Sequence, residues 1–317
     1  MIALTGDVGG SRIKLALVRD GQIVVRRIEP ARSDVAWNLR LRELADSWRS
    51  LCREAQVEFA LVDGLGIGFP SLVDAAGTRI LDEWGKFPGC AGFDLGAWAR
   101  NTLGLPLALD NDARAALVGE WRQGAGRGSN DLVMITLGTG IGAAVVMEGR
   151  VLRGAHGQAG TLGGHLTVHH GGRRCVCGNL GCAEAEASTA VLRELALSRP
   201  DYPGSALAEA GELDYAAVFR LAGEGDACAR ALRDHSLSVW SAAAVNLIHA
   251  YDPERVIVGG GIMRSAEAIL PEFERYLHAH AHTAWGRVEI VPGALGDDAA
   301  LLGAYQLVAD RLGSASS

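Results

Sequence analysis

Apolar positions along the chain alternate between two periods, and the switches between them mark the elements. Residues 2–6 and 12–18 carry the short apolar runs of strands, and the turn Asp7-Val8-Gly9-Gly10-Ser11 separates them. A third strand is expected at 22–28. An amphipathic helix follows over about 36–55, with Leu39, Leu41, Leu44, Trp48 and Leu51 on its apolar side. The pattern then gives a buried strand at 63–68, a loop with Phe69-Pro70-Ser71, a helix at 94–103, and a short strand at 106–109. That strand ends on Asp110-Asn111-Asp112, and a helix over 113–122 starts directly after it. Strands return at 131–137 and 142–147 around Gly138-Thr139-Gly140-Ile141-Gly142. The Gly-, His- and Cys-rich stretch 153–182 has no period. Helices dominate 186–250. A strand at 255–258 runs into Gly259-Gly260-Gly261, and a helix at 264–281, a strand at 287–291 and a helix at 298–311 complete the pattern. The tail Gly-Ser-Ala-Ser-Ser is expected to fray.

The device of strand, Gly-rich turn, strand occurs twice, at DVGG and at GTGIG. It predicts an internal duplication of one α/β unit, two units facing each other across a cleft suited to small ligands. The 317 residues allow two domains, and an apolar share of 49 % supports a sizeable core. A net charge of −7 argues against nucleic acid as the main partner. The N-terminal MIALTGDVGG lacks the basic and apolar regions of a signal peptide, and no apolar run approaches the ~20 residues that span a bilayer. A cytoplasmic protein with reduced thiols is therefore expected. Cys52, Cys90 and Cys228 stand apart in the sequence and are expected to act as small buried hydrophobes.

Each Gly-rich turn offers backbone N–H groups to phosphate oxygens. In the first, Asp7 could orient hydrated Mg²⁺ beside the phosphates. In the second, Thr139 adds a hydroxyl. The strand after it, in place of a helix, argues against a dinucleotide-binding fold. At Gly259-Gly260-Gly261 the backbone could lie flat against a base or ribose. Each turn is a weak signal alone, and an ordinary hairpin turn competes with it; three at strand ends are a much stronger one. Asp112 stands where it could either cap the following helix or act as a general base toward a substrate hydroxyl. Asn111 could hold neighbouring hydroxyls through its amide. Within HLTVHHGGRRCVCGNLGC, three thiols and an imidazole form a closed zinc set of structural type: Cys175, Cys177 and Cys182 with His165, His169 or His170.

DVGGSRIKLALV, LALDNDARAALVGEW, ITLGTGIG, GHLTVHHGGRRCVCGNLGCAE and VIVGGGIM together resemble the motifs of the ROK family (repressor, open reading frame, kinase) from residue 4 to about 305. The resemblance implies an α/β, actin-like ATPase (ribonuclease H-like) fold of two domains with an interdomain cleft. A smaller domain of residues 1–112 plus the C-terminal helix at about 300–317 would join a larger one of 113–299 that carries the zinc loop. It implies transfer of the ATP γ-phosphate to a sugar hydroxyl, usually O6 of a hexose such as glucose, or of a hexosamine. Asp112 would be the base. Ser71, Asn111, Asp112, His165 and Glu184 would contact the sugar. Asp7, Gly9, Gly10, Ser11, Lys14, Gly138, Thr139, Gly140, Gly142, Gly260 and Gly261 would bind Mg-ATP. The resemblance selects His165 as the imidazole that joins Cys175, Cys177 and Cys182 on structural Zn²⁺, and it implies a homodimer with no nucleic-acid or membrane partner. The family's repressors carry an N-terminal helix-turn-helix, whereas the first strand here begins at residue 2. Polyphosphate as donor would favour a basic groove, which the acidic charge does not support. One departure stands out. The family's Glu-x-Gly-His run is replaced by Thr161-Leu162-Gly163-Gly164-His165, which puts Leu162, or Thr161 if one residue is inserted, where a sugar-gripping carboxylate is expected. His156 and Gln158 lie nearby as replacement contacts. Loss of that carboxylate would weaken or redirect sugar binding, or leave a non-catalytic sugar-binding protein.

Overall fold

A computed structural model describes residues 1–315. The last two residues of the tail expected to fray lie outside the described residues. The strands and helices are β1 (Ile2–Val8), β2 (Arg12–Arg19), β3 (Gln22–Pro30), α1 (Trp37–Glu54), β4 (Gly64–Phe69), α2 (Leu95–Leu103), β5 (Leu107–Asn111), α3 (Asp112–Gln123), β6 (Leu132–Leu137), β7 (Ile141–Met147), β8 (Arg150–Val151), α4 (Ala183–Ala187), α5 (Thr189–Leu197), α6 (Tyr215–Glu224), α7 (Ala227–Tyr251), β9 (Arg255–Gly259), α8 (Ala266–His280), β10 (Glu289–Pro292) and α9 (Ala299–Ala315). No helix among the described residues is long and apolar enough to cross a membrane.

The chain forms two compact units. The first takes in Met1–Gly128, Val151–Thr161 and the chain from Ala294; the second takes in Ser129–Arg150 and Leu162–Gly293. The first unit therefore runs well past residue 112, where sequence placed the division. The reason is packing: α3 lies along α9 so closely that a Cβ on Gly119 would stand 2.1 Å from the Ala299 carbonyl oxygen, and one on Gly303 would stand 1.7 Å from that of Ala115. Only bare backbone fits between these helices.

The first unit's sheet has the order β3-β2-β1-β4-β5. β1 and β2 form an antiparallel hairpin in which Asp7 pairs with Lys14; β4 runs parallel to β1, and β5 parallel to β4. One sheet face is covered by α1. Its buried positions Trp37, Leu41, Leu44, Trp48 and Leu51 keep the three- and four-residue spacing of one helical stripe. Leu39, expected on that stripe, falls on the far side of the helix from it and is 50 % exposed. The indole N–H of the buried Trp48 donates to the Thr5 carbonyl at 3.0 Å, so its one polar atom is satisfied in the core. On the other face, Leu301, Leu302, Tyr305 and Val308 of α9 close over Ala3, Ala16, Val18 and Ala108.

The second unit's sheet has the order β10-β9-β6-β7-β8. Here β6 and β7 are the antiparallel hairpin, β9 is parallel to β6, and β10 is parallel to β9. Read from the hairpin outward, the strand plan repeats that of the first unit. The duplication read from two Gly-rich turns is therefore a duplication of whole sheets.

Candidate functional site

In the first unit, parallel pairing brings the ends of β4 and β5 side by side, with Phe69 opposite Asn111. Both candidate polar residues follow at that edge, and they divide the work. Asn111 is the N-cap of α3: its Oδ1 accepts from the Arg114 N–H at 3.2 Å. Asp112 is then the first helical residue and is spared the cap. Its Oδ1 accepts from its neighbours, Asn111 Nδ2 at 3.0 Å and the Ala113 N–H at 2.8 Å. Burial raises the Asp112 carboxyl to a pKa of about 7, and repulsion from Asp7 adds to the rise, while the Ala113 N–H and the charge of Lys86 oppose it. A carboxylate poised near neutrality can accept a proton from a hydroxyl and later release it.

Ser71 does not present a hydroxyl to this edge. It is fully buried, and its Oγ donates to the Asp82 carbonyl. What it contributes is its own carbonyl, which accepts from Asn111 Nδ2 at 3.4 Å. The residue expected to touch sugar thus steadies Asn111 through its backbone instead.

The turn Val8–Ser11 closes when the Gly9 N–H donates to the Arg12 carbonyl at 3.0 Å. Asp7, at the end of β1, is ion-paired with Lys14 at 3.0 Å, and Lys14 also meets Asp297 at 2.9 Å. Burial works against the lysine's charge, but Asp7 and Asp297 outweigh it and raise its pKa. Lys14 thus holds two carboxylates beside the first Gly-rich turn.

In the second unit, the turn between β6 and β7 is tied to α4 and α5. The Thr189 N–H donates to the Gly138 carbonyl at 3.0 Å and the Ala190 N–H to that of Thr139 at 3.2 Å. Glu184, in the first turn of α4, accepts the Ile141 N–H on Oε2 at 2.8 Å. Gly140 makes this approach possible, since a Cβ there would stand 2.4 Å from the same oxygen. Gly142 pairs with Thr136 at the start of β7. Gly260 follows β9 at φ +93°, and Gly261 begins the short helical turn after it.

His165, Cys175, Cys177 and Cys182 converge: their ligand atoms all lie within 4.8 Å of one another. A tetrahedral zinc about 2.3 Å from sulfur and about 2.0 Å from nitrogen sets S···S near 3.8 Å and S···N near 3.5 Å. The Cys177 and Cys182 sulfurs are 3.7 Å apart, and His165 Nδ1 is 3.4 Å from the Cys175 sulfur. The donor set and its spacing fit the ion. Neither rival imidazole joins the cluster: His169 faces Glu186 with Nδ1 3.6 Å from its carboxylate, and His170 is exposed. Cys182 is also the N-cap position of α4, so the cluster and Glu184 share a rigid turn.

At the departure from the family run, Thr161 is buried and donates its hydroxyl to the Gln158 carbonyl at 2.8 Å. Leu162 begins the longer stretch of the second unit and supplies no polar side chain. Sequence also gave no sign of Arg114. It is buried, binds Asp110 at 2.7 Å and donates to the carbonyls of Gly157 and Ala159 at 3.0 Å, fastening 151–161 to the first unit. Arg153 meets the other oxygen of Asp110 at 2.7 Å. Arginine on a helix signals nothing by itself. Its target carbonyls lie more than 40 residues away.

Residues 4–311 match the ROK family. The chain belongs to the ROK family. It is 33 % identical to the glucokinase of Thermotoga maritima, with 97 % of each chain covered. To the N-acetylmannosamine kinase of Pasteurella multocida it is 32 % identical, with 98 % of each covered. The solved ROK family glucokinase from Streptomyces griseus in complex with glucose and AMPPNP superposes with a TM-score of 0.79 at 27 % identity, covering 98 % of this chain and 100 % of that one. The fold is that of these ROK sugar kinases, an α/β actin-like ATPase fold, as the motifs led us to expect.

Proposed function

We propose that this ROK-family chain is an ATP-dependent sugar kinase that transfers the γ-phosphoryl group to a hydroxyl of a hexose or hexosamine, with Asp112 as general base. The observation that carries this is the division of labour at the end of β5. Asn111 caps α3, and Asp112 is left half-buried near Asp7 with its pKa raised to about 7. The kinship with glucokinases and an N-acetylmannosamine kinase supports the substrate class.

In this mechanism the sugar hydroxyl gives its proton to Asp112 as its oxygen attacks the γ-phosphorus, and ADP leaves with the bridging oxygen. Asn111 orients the base through its bond to Asp112 Oδ1. Mg-ATP is the second substrate. The Gly9-Gly10-Ser11 turn and the turn at Gly138, Thr139, Gly140 and Gly142 offer its phosphates N–H donors other than those of Gly9 and Gly138, which close the turns themselves, and Gly260-Gly261 lines its nucleoside. Asp7, held by Lys14, is the carboxylate for the hydrated magnesium that arrives with it. Glu184 and His165 are the sugar contacts on the second unit. Zn²⁺ would be held by His165, Cys175, Cys177 and Cys182, and with all four positions filled by protein it would supply rigidity to the loop rather than chemistry.

The test is to incubate the zinc-replete protein with Mg-ATP and a panel of glucose, mannose, fructose, N-acetylglucosamine and N-acetylmannosamine, and to follow ADP. Turnover on one or more sugars is expected. No turnover on any of them, in a protein that still binds sugar, would leave a sugar-binding protein and remove the kinase.

A further inference from the structure

The loop between β4 and α2 delivers a cation to the first Gly-rich turn. Its anchor is Phe87, fully buried, with its ring centroid 5.2 Å from that of Trp37 and 5.8 Å from that of Phe69. Phe69 is the last residue of β4 and pairs with Asn111, so the aromatic cluster pins this loop to the strand ends that carry Asn111 and Asp112. The backbone adds three ties. The Phe87 N–H donates to the Ser33 carbonyl at 2.6 Å, the Trp37 N–H to that of Pro88 at 2.9 Å, and the Lys86 N–H to that of Glu83 at 2.8 Å. Trp84 and Phe87 take φ of 42° and 54° on either side of Gly85 and Lys86, a region that residues with side chains avoid. Strain of this kind persists where the surroundings enforce it, and it concentrates at functional sites.

The product of that conformation is the placement of Lys86. Its Cε, Cδ and Nζ lie 3.2, 3.5 and 3.6 Å from the point that a Cβ on Gly10 would occupy. The ammonium therefore stands over the Gly9-Gly10 turn. It is also near enough to Asp112 to favour that carboxylate's charged form. Lys14, the other lysine at this turn, is committed to Asp7 and Asp297, whereas Lys86 forms no ion pair among the described residues. An ammonium is a compact charge with three donors, suited to phosphate oxygens.

Resting on the kinase function proposed above, we propose that Lys86 is a catalytic residue of the transfer, binding the phosphoryl group at the Gly9-Gly10 turn and stabilising its charge as the bond to ADP breaks. The sugar oxygen forms the new bond to phosphorus. The bridging P–O bond breaks with its electron pair going to ADP, and the hydroxyl proton goes to Asp112. Lys86 takes no part in the proton transfer and acts by charge.

Lys86→Met and Lys86→Arg test this, alongside the wild-type chain, with two readouts: turnover on the accepted sugar, and calorimetric binding of inorganic tripolyphosphate without sugar. Lys86→Met is expected to lower kcat by about 100-fold with an unchanged sugar KM, and to weaken tripolyphosphate binding by about tenfold. Lys86→Arg is expected to recover part of both. Thermal melting at the wild-type temperature shows that the variants are folded. Wild-type kcat and tripolyphosphate affinity in Lys86→Met would overturn the proposal. So would a rise in sugar KM alone, which would make Lys86 a sugar contact, or a wild-type chain that binds no tripolyphosphate. A wild-type chain that turns over no sugar, yet binds tripolyphosphate through Lys86, would sink the kinase function and keep the phosphate site.

Discussion

Asn111 and Asp112 are adjacent in the chain and have opposite duties. Sequence alone left Asp112 divided between cap and base, because aspartate is suited to either. One residue decides it. With Asn111 in the cap, Asp112 keeps a carboxylate whose pKa is raised to about 7 by burial and by Asp7. A base must be ionised to act, so kcat/KM should climb as pH rises through about 7 and level off above it. Asp112→Asn should lose about 100-fold or more in kcat while remaining folded. The same shift has a stability side of fixed sign. A carboxyl raised in the folded state is stabilising while protonated, below the unfolded value of 3.8, and that contribution is lost as pH rises toward 7. Asp112→Asn should therefore melt higher than wild type at pH 8, with the gain vanishing toward pH 4. Equal melting temperatures across that range, or a flat pH–rate profile, would contradict the raised pKa.

At the scale of elements, the Gly-rich turn between β6 and β7 shows what a motif leaves unsaid. GTGIG is legible as a turn, and Gly140 as a glycine within it. Its necessity comes from Glu184, 44 residues away, whose carboxylate would meet a Cβ there. In Gly140→Ala the carboxylate must withdraw, and its charge-assisted bond to the Ile141 N–H is lost, a loss of about 1.5–3 kcal/mol. An increase of about tenfold or more in KM for ATP is expected. Because Glu184 is also the proposed sugar contact, KM for sugar should rise with it; a rise for sugar alone would show that the bond to the Ile141 N–H does not serve the nucleotide turn, and no change in either would remove the contact from function. Sequence was reliable where a signal is local: the main strands and their turns, the period of α1 apart from Leu39, the spacing of the cysteines. It failed where a partner is distant. Ser71 looked available because nothing near it in the chain shows that Asp82 takes its hydroxyl. Arg114 drew no reading at all, though it holds the carbonyls of Gly157 and Ala159. The positive φ of Trp84 and Phe87 has no compositional sign at all.

Over the whole molecule, two sheets repeat one strand plan, yet the units carry different chemistry. The first holds Asp7, Lys86, Asn111 and Asp112; every member of the Cys₃His cluster belongs to the second. That segregation makes the metal's role separable. The cluster fixes the loop from His165 to Cys182, which leads directly into α4 and Glu184. Burial alone does little for this cluster: Cys177 is exposed, and the buried apolar packing beside it is that of Cys175, Cys182 and Ala185. Bonds from these four side chains to a metal would add stability that the segment's burial does not supply. Metal analysis should find about one zinc per chain, and Cys182→Ser should lose it. Chelation should then raise amide hydrogen exchange across 165–187 and at the Ile141 N–H, which depends on Glu184. Strands β1, β2, β4 and β5 belong to the first unit and should keep their protection. Uniform loss of protection in both sheets would show that the metal supports the fold as a whole, and unchanged exchange across 165–187 would show that the loop stands without it.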